Sequence, residues 1–167
     1  MTPRLYCGID PGLSGAVGFV HADGGFHSVH DMPIQMTTTG RRAVDFTALA
    51  EILREHKPAF TLVERVGSRP NEGAVGAFSF GMSYGGIIAV LATLALPHGV
   101  IQPATWKRRA GIPAGAPKGV SVAVCKQVLP ATASHLTRIK DDGRAESLLL
   151  ALQSRTRSFS PTEGVTP

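Results

Sequence analysis

The chain has 167 residues and a mass of 17.5 kDa, which suits one folded domain and leaves no room for two. With 43% hydrophobic and 17% charged residues it is too apolar for wholesale disorder. Its net charge of +5 suits a polyanionic partner such as nucleic acid. Because Cys7 and Cys125 are far apart in apolar surroundings, we expect neither a disulfide nor a zinc site. We also expect a cytoplasmic protein.

The first part of the chain predicts an antiparallel meander of three strands. Short apolar runs alternate with glycine-rich turns, and tight turns of this kind join antiparallel neighbours. The runs cover residues 5–9, 15–20 and 26–30. The polar segment at 33–42 that follows predicts a loop.

The rest of the chain alternates helices with strands. Asp45 predicts the N-cap of a helix that ends near Pro58, and residues 59–63 predict a buried strand that ends at Glu64. Further helices are predicted at 75–96, 120–129 and 142–154, with a short strand at 100–101. This order predicts an α/β fold with a mixed sheet flanked by helices. We expect the domain to span residues 4–154 and the tail at 155–167 to be flexible.

The helix predicted at 75–96 lies in the most apolar stretch of the chain. Serine, proline and several glycines interrupt that stretch, so we expect a helix buried in the domain and no membrane partner. A stripe of small residues runs along the helix at Ala77, Gly81, Gly85 and Ala89. Such a stripe lets another backbone approach closely, either the protein's own sheet or a second copy of the chain.

Two predicted buried strands end in an acidic residue, which loses hydration energy unless something pairs with it. Local explanations exist for each. Asp10 can cap the turn at Pro11-Gly12, and Glu64 can pair with Arg65 or Arg69. Active sites are also built at such strand ends.

A third acidic group begins the last predicted helix. Asp142 and Glu146 are four residues apart and share one face, whereas Asp141 points about 100° away. Two carboxylates 4 Å apart repel by about 4 kcal/mol at an effective dielectric constant of 20, so a cleft that gathers several of them needs a cation. Carboxylate oxygens are ligands that suit Mg²⁺ or Mn²⁺. We expect His27 and His30 to be surface residues rather than metal ligands. Two such ions held close together catalyse phosphodiester hydrolysis. A site of this kind on a basic protein therefore suggests a nuclease.

Four segments of the sequence carry a resemblance to a known family. They are Gly8–Ala16 (GIDPGLSGA), Leu62–Glu64 (LVE), Gln102–Lys107 (QPATWK) and Lys140–Ala151 (KDDGRAESLLLA). In order and spacing they resemble the Holliday-junction resolvases of the RuvC type, particularly the compact phage and prophage forms. The resemblance covers about residues 4 to 153. It implies the ribonuclease H-like fold, with a five-stranded mixed sheet whose first three strands are antiparallel.

The resemblance also implies an activity. It implies a structure-selective DNA endonuclease that resolves four-way junctions as a homodimer, by paired symmetric nicks. It implies two Mg²⁺ ions per active site, with Mn²⁺ as a substitute. By position, the catalytic metal ligands are Asp10, which bridges both ions, together with Glu64, Asp142 and Glu146. The family places two aspartates three residues apart on this helix, whereas here Asp142 and Glu146 are four apart and the second acid is a glutamate. Either Asp141 or Asp142 is therefore the ligand, and the helix face that it shares with Glu146 favours Asp142.

The other implied site residues are basic. Lys118 resembles a catalytic position that stabilises phosphate charge, although an exposed loop lysine would look the same. The implied DNA-binding residues are Arg69, Lys107, Arg108, Arg109 and Lys118. We expect Trp106, next to them, to anchor the core.

One feature of the family is missing. The cellular enzymes carry an aromatic wedge shortly after the fourth-strand Glu, and Gly67 occupies that place here. Either Phe78 or Phe80 supplies the stacking, or the junction is opened differently, or both rings pack in the core.

Other classes of function compete with a junction resolvase. The segment from Asp10 to Gly15 is similar to the phosphate-binding hairpin of actin-like phosphotransferases and ATPases, but those enclose a nucleotide between two domains. A non-catalytic nucleic-acid-binding module on this fold would be expected to have lost carboxylates, whereas four are present. A nuclease acting on flaps or on RNA–DNA hybrids fits the same residues.

Overall fold

A computed structural model describes residues 4–65, 67 and 73–156 of the chain. Its strands are β1 (Leu5–Asp10), β2 (Ala16–His21), β3 (Phe26–Asp31), β4 (Ile34–Met36), β5 (Arg42–Val44), β6 (Phe60–Glu64) and β7 (His98–Ile101). Its helices are α1 (Phe46–His56), α2 (Ala74–Thr93), α3 (Pro103–Arg109), α4 (Val120–Val128) and α5 (Asp142–Ser154), with a 3₁₀ helix at Pro130–His135.

Five of the strands form a mixed sheet in the order β3-β2-β1-β6-β7. The first three pair antiparallel, whereas β6 is parallel to β1 and β7 is parallel to β6. The predicted five-stranded sheet with an antiparallel start is therefore confirmed. Because β1 and β6 are parallel neighbours, their carboxyl ends meet at the same edge of the sheet.

Helices cover both faces of the sheet. Leu49 of α1 and Leu91 of α2 belong to one buried cluster, and Trp106 of α3 and Leu148 of α5 belong to another. Asp45 caps α1 as predicted, since its side chain accepts hydrogen bonds from two backbone N–H groups of the first turn at 3.0 Å. Cys7 and Cys125 are buried free thiols, and burial raises the pKa of both.

Helix α5 lies unusually close to the sheet, because glycines and small residues face each other. A Cβ atom on Gly8 of β1 would overlap the backbone of Ser147 and Ala151 in α5, and one on Gly18 of β2 would lie 2.9 Å from the backbone nitrogen of Leu148. Residues 8 and 18 are directly paired in the sheet. The pair of glycines therefore seats α5 against the centre of the sheet and sets where its acidic residues lie.

The structure corrects two predictions from the sequence. Residues 33–42 are not one loop, because Ile34–Met36 and Arg42–Val44 pair as a two-stranded antiparallel hairpin. Helix α2 is not a buried helix: Ile87 and Leu91 are its buried residues, and only 17% of its most apolar 18-residue window is buried. By length and composition alone, α2 could cross a membrane.

Two other predictions concern the ends of elements. Helices α4 and α5 match their predicted ranges to within a residue, and α2 ends at Thr93 rather than residue 96. The predicted flexible tail lies, from residue 157 onward, outside the described residues.

Candidate active site

Three carboxylates converge where β1, β6 and α5 meet. Asp10 is the last residue of β1, Glu64 is the last residue of β6, and Glu146 lies in the second turn of α5. One oxygen from each lies within 4.8 Å of the others, and each residue is half-buried. Within the described part of the chain, they are the group of acidic, histidine or cysteine side chains close enough to share a metal ion.

A glycine lets the first turn of α5 approach Asp10. A Cβ atom on Gly143 would lie 2.5 Å from the backbone oxygen of Ser14 and 3.1 Å from Oδ2 of Asp10. A larger residue at position 143 would push the helix away from the β1–β2 turn. Gly143 therefore brings α5, and with it Glu146, up to the carboxylate of β1.

Glu64 and Glu146 are held by side chains of α3 and α4. Trp106, whose side chain is fully buried, donates its indole N–H to Oε2 of Glu64 at 2.9 Å. Lys107 lies 2.9 Å from Oε1 of Glu146, and the hydroxyl of Ser121 donates to the same oxygen at 2.9 Å. Trp106 thus anchors the core, as expected, and also orients an acidic residue of the site.

Among the described residues, Lys107 forms an ion pair with one of the three carboxylates. Burial lowers its pKa, but the hydrogen bond and charge of Glu146, with the charges of Glu64 and Asp10, outweigh burial and raise the pKa overall. Lys107 therefore stays protonated, and it faces the acidic group rather than the outer surface. Sequence reasoning placed Lys107 among the DNA contacts and missed its link to Glu146.

Asp142 lies in the same cleft but outside the close group. Its Oδ1 accepts a hydrogen bond at 2.9 Å from the backbone N–H of Gly119, in the loop that leads into α4. The cleft has a volume of about 740 Å³, and its lining includes Asp10, Glu64 and Glu146 as well as Asp142. The structure thus brings three of the four predicted carboxylates together and places the fourth on the wall beside them.

Asp141 faces away from the cleft, as helix geometry predicts. Its side chain is fully buried and accepts two hydrogen bonds from Arg138, from the backbone N–H at 2.6 Å and from Nε at 2.7 Å. Arg138 and Arg144 also donate to Asp31 at the end of β3. Burial raises the pKa of Asp141, but the bonds and charge of Arg138 outweigh it and hold the pKa below its usual range. This network ties the start of α5 to the sheet edge.

The predicted basic residues separate into those in the cleft and those outside it. Lys118 is exposed and lines the cleft together with Lys107. Arg108 lines an adjoining groove of about 960 Å³, and Arg109 is exposed on the last turn of α3. The prediction for Arg69 concerns a residue outside the described range.

The rings considered as replacements for a wedge lie in different places. Phe78 is 70% exposed on α2, so the alternative that both rings pack in the core is wrong. Phe80 is partly buried and lines the cleft, where its ring would lie 3.0 Å from a Cβ atom on Gly12. Gly67 also lines the cleft, and a Cβ atom there would meet nothing within 4 Å.

The donor set fits a hard divalent cation. The three close ligands are all carboxylates, and Mg²⁺ and Mn²⁺ prefer oxygen ligands with room for water. The carboxylates come from three separate elements, so folding forces them together despite their mutual repulsion. Asp10, Glu64 and Glu146 are the residues that would hold such an ion, with Asp142 next to them.

Comparison with known proteins gives the class of fold. Neither the protein-family models nor the curated proteins compared with the chain match it. Solved structures do match: RuvC of Thermus thermophilus is 17% identical with a TM-score of 0.53, covering 89% of this chain and 92% of that one. T. thermophilus RuvC in complex with Holliday junction substrate is 18% identical with a TM-score of 0.59, covering 89% and 90%. The yeast mitochondrial Holliday junction resolvase Ydc2 is 15% identical with a TM-score of 0.51, covering 89% and 78%.

These matches and the strand order define a ribonuclease H-like fold, as expected from the sequence. Within that class, the particular arrangement is the one seen in the RuvC structures. At 15–18% identity the likeness establishes the fold, and the activity has to be argued from the site.

Proposed function

We propose that the protein is a divalent-metal-dependent endonuclease that cuts branched DNA, in particular four-way junctions. The observation that carries the proposal is the convergence of Asp10, Glu64 and Glu146 in a cleft that also holds three lysines. Structures with the same fold are a Holliday junction resolvase and a RuvC bound to Holliday junction substrate. The net charge of +5 suits a phosphate-rich ligand.

The residues of the cleft have distinct roles in this proposal. Asp10, Glu64 and Glu146, with Asp142 beside them, would hold two Mg²⁺ or Mn²⁺ ions, and such ions would supply an activated water and stabilise the leaving oxygen. Trp106 fixes the carboxylate of Glu64 through its 2.9 Å hydrogen bond.

Two lysines and the surrounding groove act on the DNA itself. Lys107 and Lys118 place positive charge beside the phosphate that is attacked. Arg108 and Arg109 contact the backbone of the same DNA outside the cleft. Phosphate contacts of this kind position the strand and carry no sequence information.

Symmetric cutting requires two active sites, and α2 offers a surface for a homodimer. Along its exposed face, six residues recur at alternating spacings of three and four, which is the pattern of a helix–helix seam. The seam residues are Val75, Phe78, Met82, Gly85, Ala89 and Ala92, all exposed. Exposed apolar side chains in such a row indicate an interface.

The seam is complementary to itself. Its first half carries large side chains, with Val75, Phe78 and Met82 each more than half exposed, and its second half carries only glycine and alanine. If two α2 helices pair antiparallel about a twofold axis, each large residue of one copy faces a small residue of the other. Phe78 then faces Ala89, and Met82 faces Gly85. This pattern supports a twofold homodimer. Of the small-residue stripe predicted from the sequence, Gly85 and Ala89 belong to the seam.

The dimer is tested by comparing two variants that add the same charge. Gly85→Arg places a long side chain in the centre of the seam, where a Cβ atom meets nothing within the protomer. Thr47→Arg adds the same residue at an exposed position of α1. In analytical ultracentrifugation we expect the wild type and Thr47→Arg to be dimers and Gly85→Arg to be a folded monomer that loses paired nicking. A wild type that is monomeric, with one protein bound per junction, would refute the dimer.

The substrate is tested with a panel of labelled DNAs. Wild-type protein is incubated with a four-way junction, a flap, a linear duplex and an RNA–DNA hybrid, each with Mg²⁺ or EDTA. We expect the junction to be cut in Mg²⁺ at two symmetric positions and none of the substrates to be cut in EDTA. Preferential cutting of the hybrid or the flap would replace the proposed substrate while keeping the nuclease, and cutting of none would overturn the proposal.

A further inference from the structure

The hairpin of β4 and β5 carries two arginines that sequence reasoning left unassigned. The turn between the strands is well formed: the N–H of Thr37 donates to the backbone oxygen of Arg41 at 2.8 Å, and the N–H of Arg41 donates to Oγ1 of Thr37 at 3.0 Å. Gly40, with φ of +74°, supplies the left-handed residue that closes the turn. Arg41 and Arg42 are both exposed. The hairpin therefore presents two guanidinium groups from a defined base.

These arginines line a groove between the hairpin and α2. The groove has a volume of about 440 Å³, and its polar lining consists of Thr37, Thr39, Arg41, Arg42, Ser79 and Ser83. Among the described residues that line it, none is acidic. Among the ion pairs within the described residues, none involves either arginine. The other lining residues are apolar or glycine, so the groove combines an apolar floor with polar groups that suit an anion, in contrast to the acidic cleft.

The groove adjoins the seam proposed for the dimer, because Val75, Phe78 and Met82 belong to both. Ser79 and Ser83 each follow a seam residue, Phe78 and Met82, by one position, which is about 100° around the helix. A second copy on the seam therefore borders the α2 wall of the groove, whereas Arg41 and Arg42 lie on its hairpin wall.

The groove continues the acidic cleft. Leu13 and Phe80 line both, so the two depressions share a wall. The cleft also shares Lys107, Lys118, Asp142 and Glu146 with the groove that contains Arg108. The three depressions form one track, in which the carboxylates lie in the middle and cationic side chains lie at both ends.

We propose that the groove beside the β4–β5 hairpin binds the sugar-phosphate backbone of the DNA strand that leaves the acidic cleft, with Arg41 and Arg42 on phosphates that flank the cut site. This rests on the proposed function, because it assigns a path to the strand that the cleft cuts. Guanidinium groups bind phosphate through paired N–H donors. Cations at both ends of the track also offset the repulsion between the carboxylates and the DNA.

Binding as a function of salt tests the groove. Junction affinity is measured by fluorescence anisotropy in EDTA for the wild type, Arg41→Gln/Arg42→Gln, Arg41→Lys/Arg42→Lys and Arg54→Gln/Lys57→Gln. The last variant removes two exposed charges from the far end of α1. Each lost phosphate contact reduces the slope of log K against log salt by about 0.9, so the first double variant should reduce it by about 2 for each bound protomer and by about 4 for a homodimer on the junction. The lysine variant and the control should keep the wild-type slope.

A second readout separates a contact from a structural effect. Neutral methylphosphonates are placed one at a time along the cut strand. We expect neutral linkages on one side of the cut site to weaken wild-type binding and to have no further effect on Arg41→Gln/Arg42→Gln. Equal slopes for this variant, the control and the wild type, or the same methylphosphonate losses in variant and wild type, would overturn the groove while leaving the nuclease intact. A wild type that does not bind junctions would overturn both proposals.

Discussion

Gly8→Ala tests how α5 is held against the sheet. Gly8 lies in the centre of β1, paired with Gly18 of β2 and Leu62 of β6, so the strand cannot move without breaking the sheet. An alanine Cβ at this position would overlap the backbone of α5 at Ser147 and Ala151. Neither obstacle is a flexible side chain. The helix as a whole therefore has to shift outward.

The expected cost follows from two opposing terms. Overpacking a well-packed interior costs about 1–3 kcal/mol. Replacing glycine by alanine within a strand recovers about 0.5–1 kcal/mol through the unfolded chain. The steric term is the larger, and a net loss of up to about 2.5 kcal/mol lowers Tm by up to roughly 10 °C for a domain of this size. Because α5 carries Glu146, the same shift opens the carboxylate group, so cleavage should fall more than stability does.

Thermal unfolding by circular dichroism compares Gly8→Ala with Gly81→Ala. Gly81 lies on the exposed side of α2, where a Cβ atom meets nothing within 4 Å. Alanine there should raise stability by about 0.5–1 kcal/mol through helix propensity alone. A Gly8→Ala variant that melts at or above the wild-type temperature would refute the close contact between α5 and β1.

Three further predictions concern the site and the surrounding charges. Trp106→Phe keeps a ring in the core but removes the N–H donated to Glu64, so cleavage should fall about tenfold or more, since a hydrogen bond to a charged group contributes about 1.5–3 kcal/mol. Burial lowers the pKa of His27 and His30 in the folded protein, so the unfolded chain binds protons before the folded chain does as the pH drops. Tm should therefore fall as the pH drops through about 6.5, and it should fall less steeply in His27→Gln/His30→Gln. Mg²⁺ at 100 times its dissociation constant should stabilise the fold by about 2.7 kcal/mol, and a Tm rise that persists in Asp10→Asn/Glu64→Gln would mean that the ion binds elsewhere.

The sequence predicts those features that follow from local patterns. The cap at Asp45, the range of α5 and the antiparallel first strands each depend on residues within a few positions of one another. The convergence of Asp10 and Glu64 was also predictable, because parallel strands bring their carboxyl ends to one edge. Because Asp142 and Glu146 are four residues apart, they were predicted to share a helix face that Asp141 does not share. The structure agrees, since Asp142 accepts a hydrogen bond from Gly119 and Asp141 accepts one from Arg138.

The features that were missed depend on tertiary contacts. Strands β4 and β5 have three residues each, too few to show a period of two. The hydrogen bond from Trp106 to Glu64 joins residues 42 positions apart, and no local pattern records it. Helix α2 is apolar enough to predict burial, yet its exposed face is the seam that we assign to a second copy.

The central claim, that the carboxylates in the cleft bind the metal ions that cut DNA, is tested most directly by a matched set of substitutions. Cleavage of a four-way junction in Mg²⁺ is measured for wild type, Asp10→Asn, Asp142→Asn and Asp141→Asn under single-turnover conditions. Asp10→Asn and Asp142→Asn should bind the junction and not cut it. Asp141→Asn should melt at a lower temperature, because the buried carboxylate holds Arg138, but should still cut below that temperature. A wild type that does not cut, or an Asp10→Asn variant that keeps more than a tenth of wild-type cleavage, would contradict the claim.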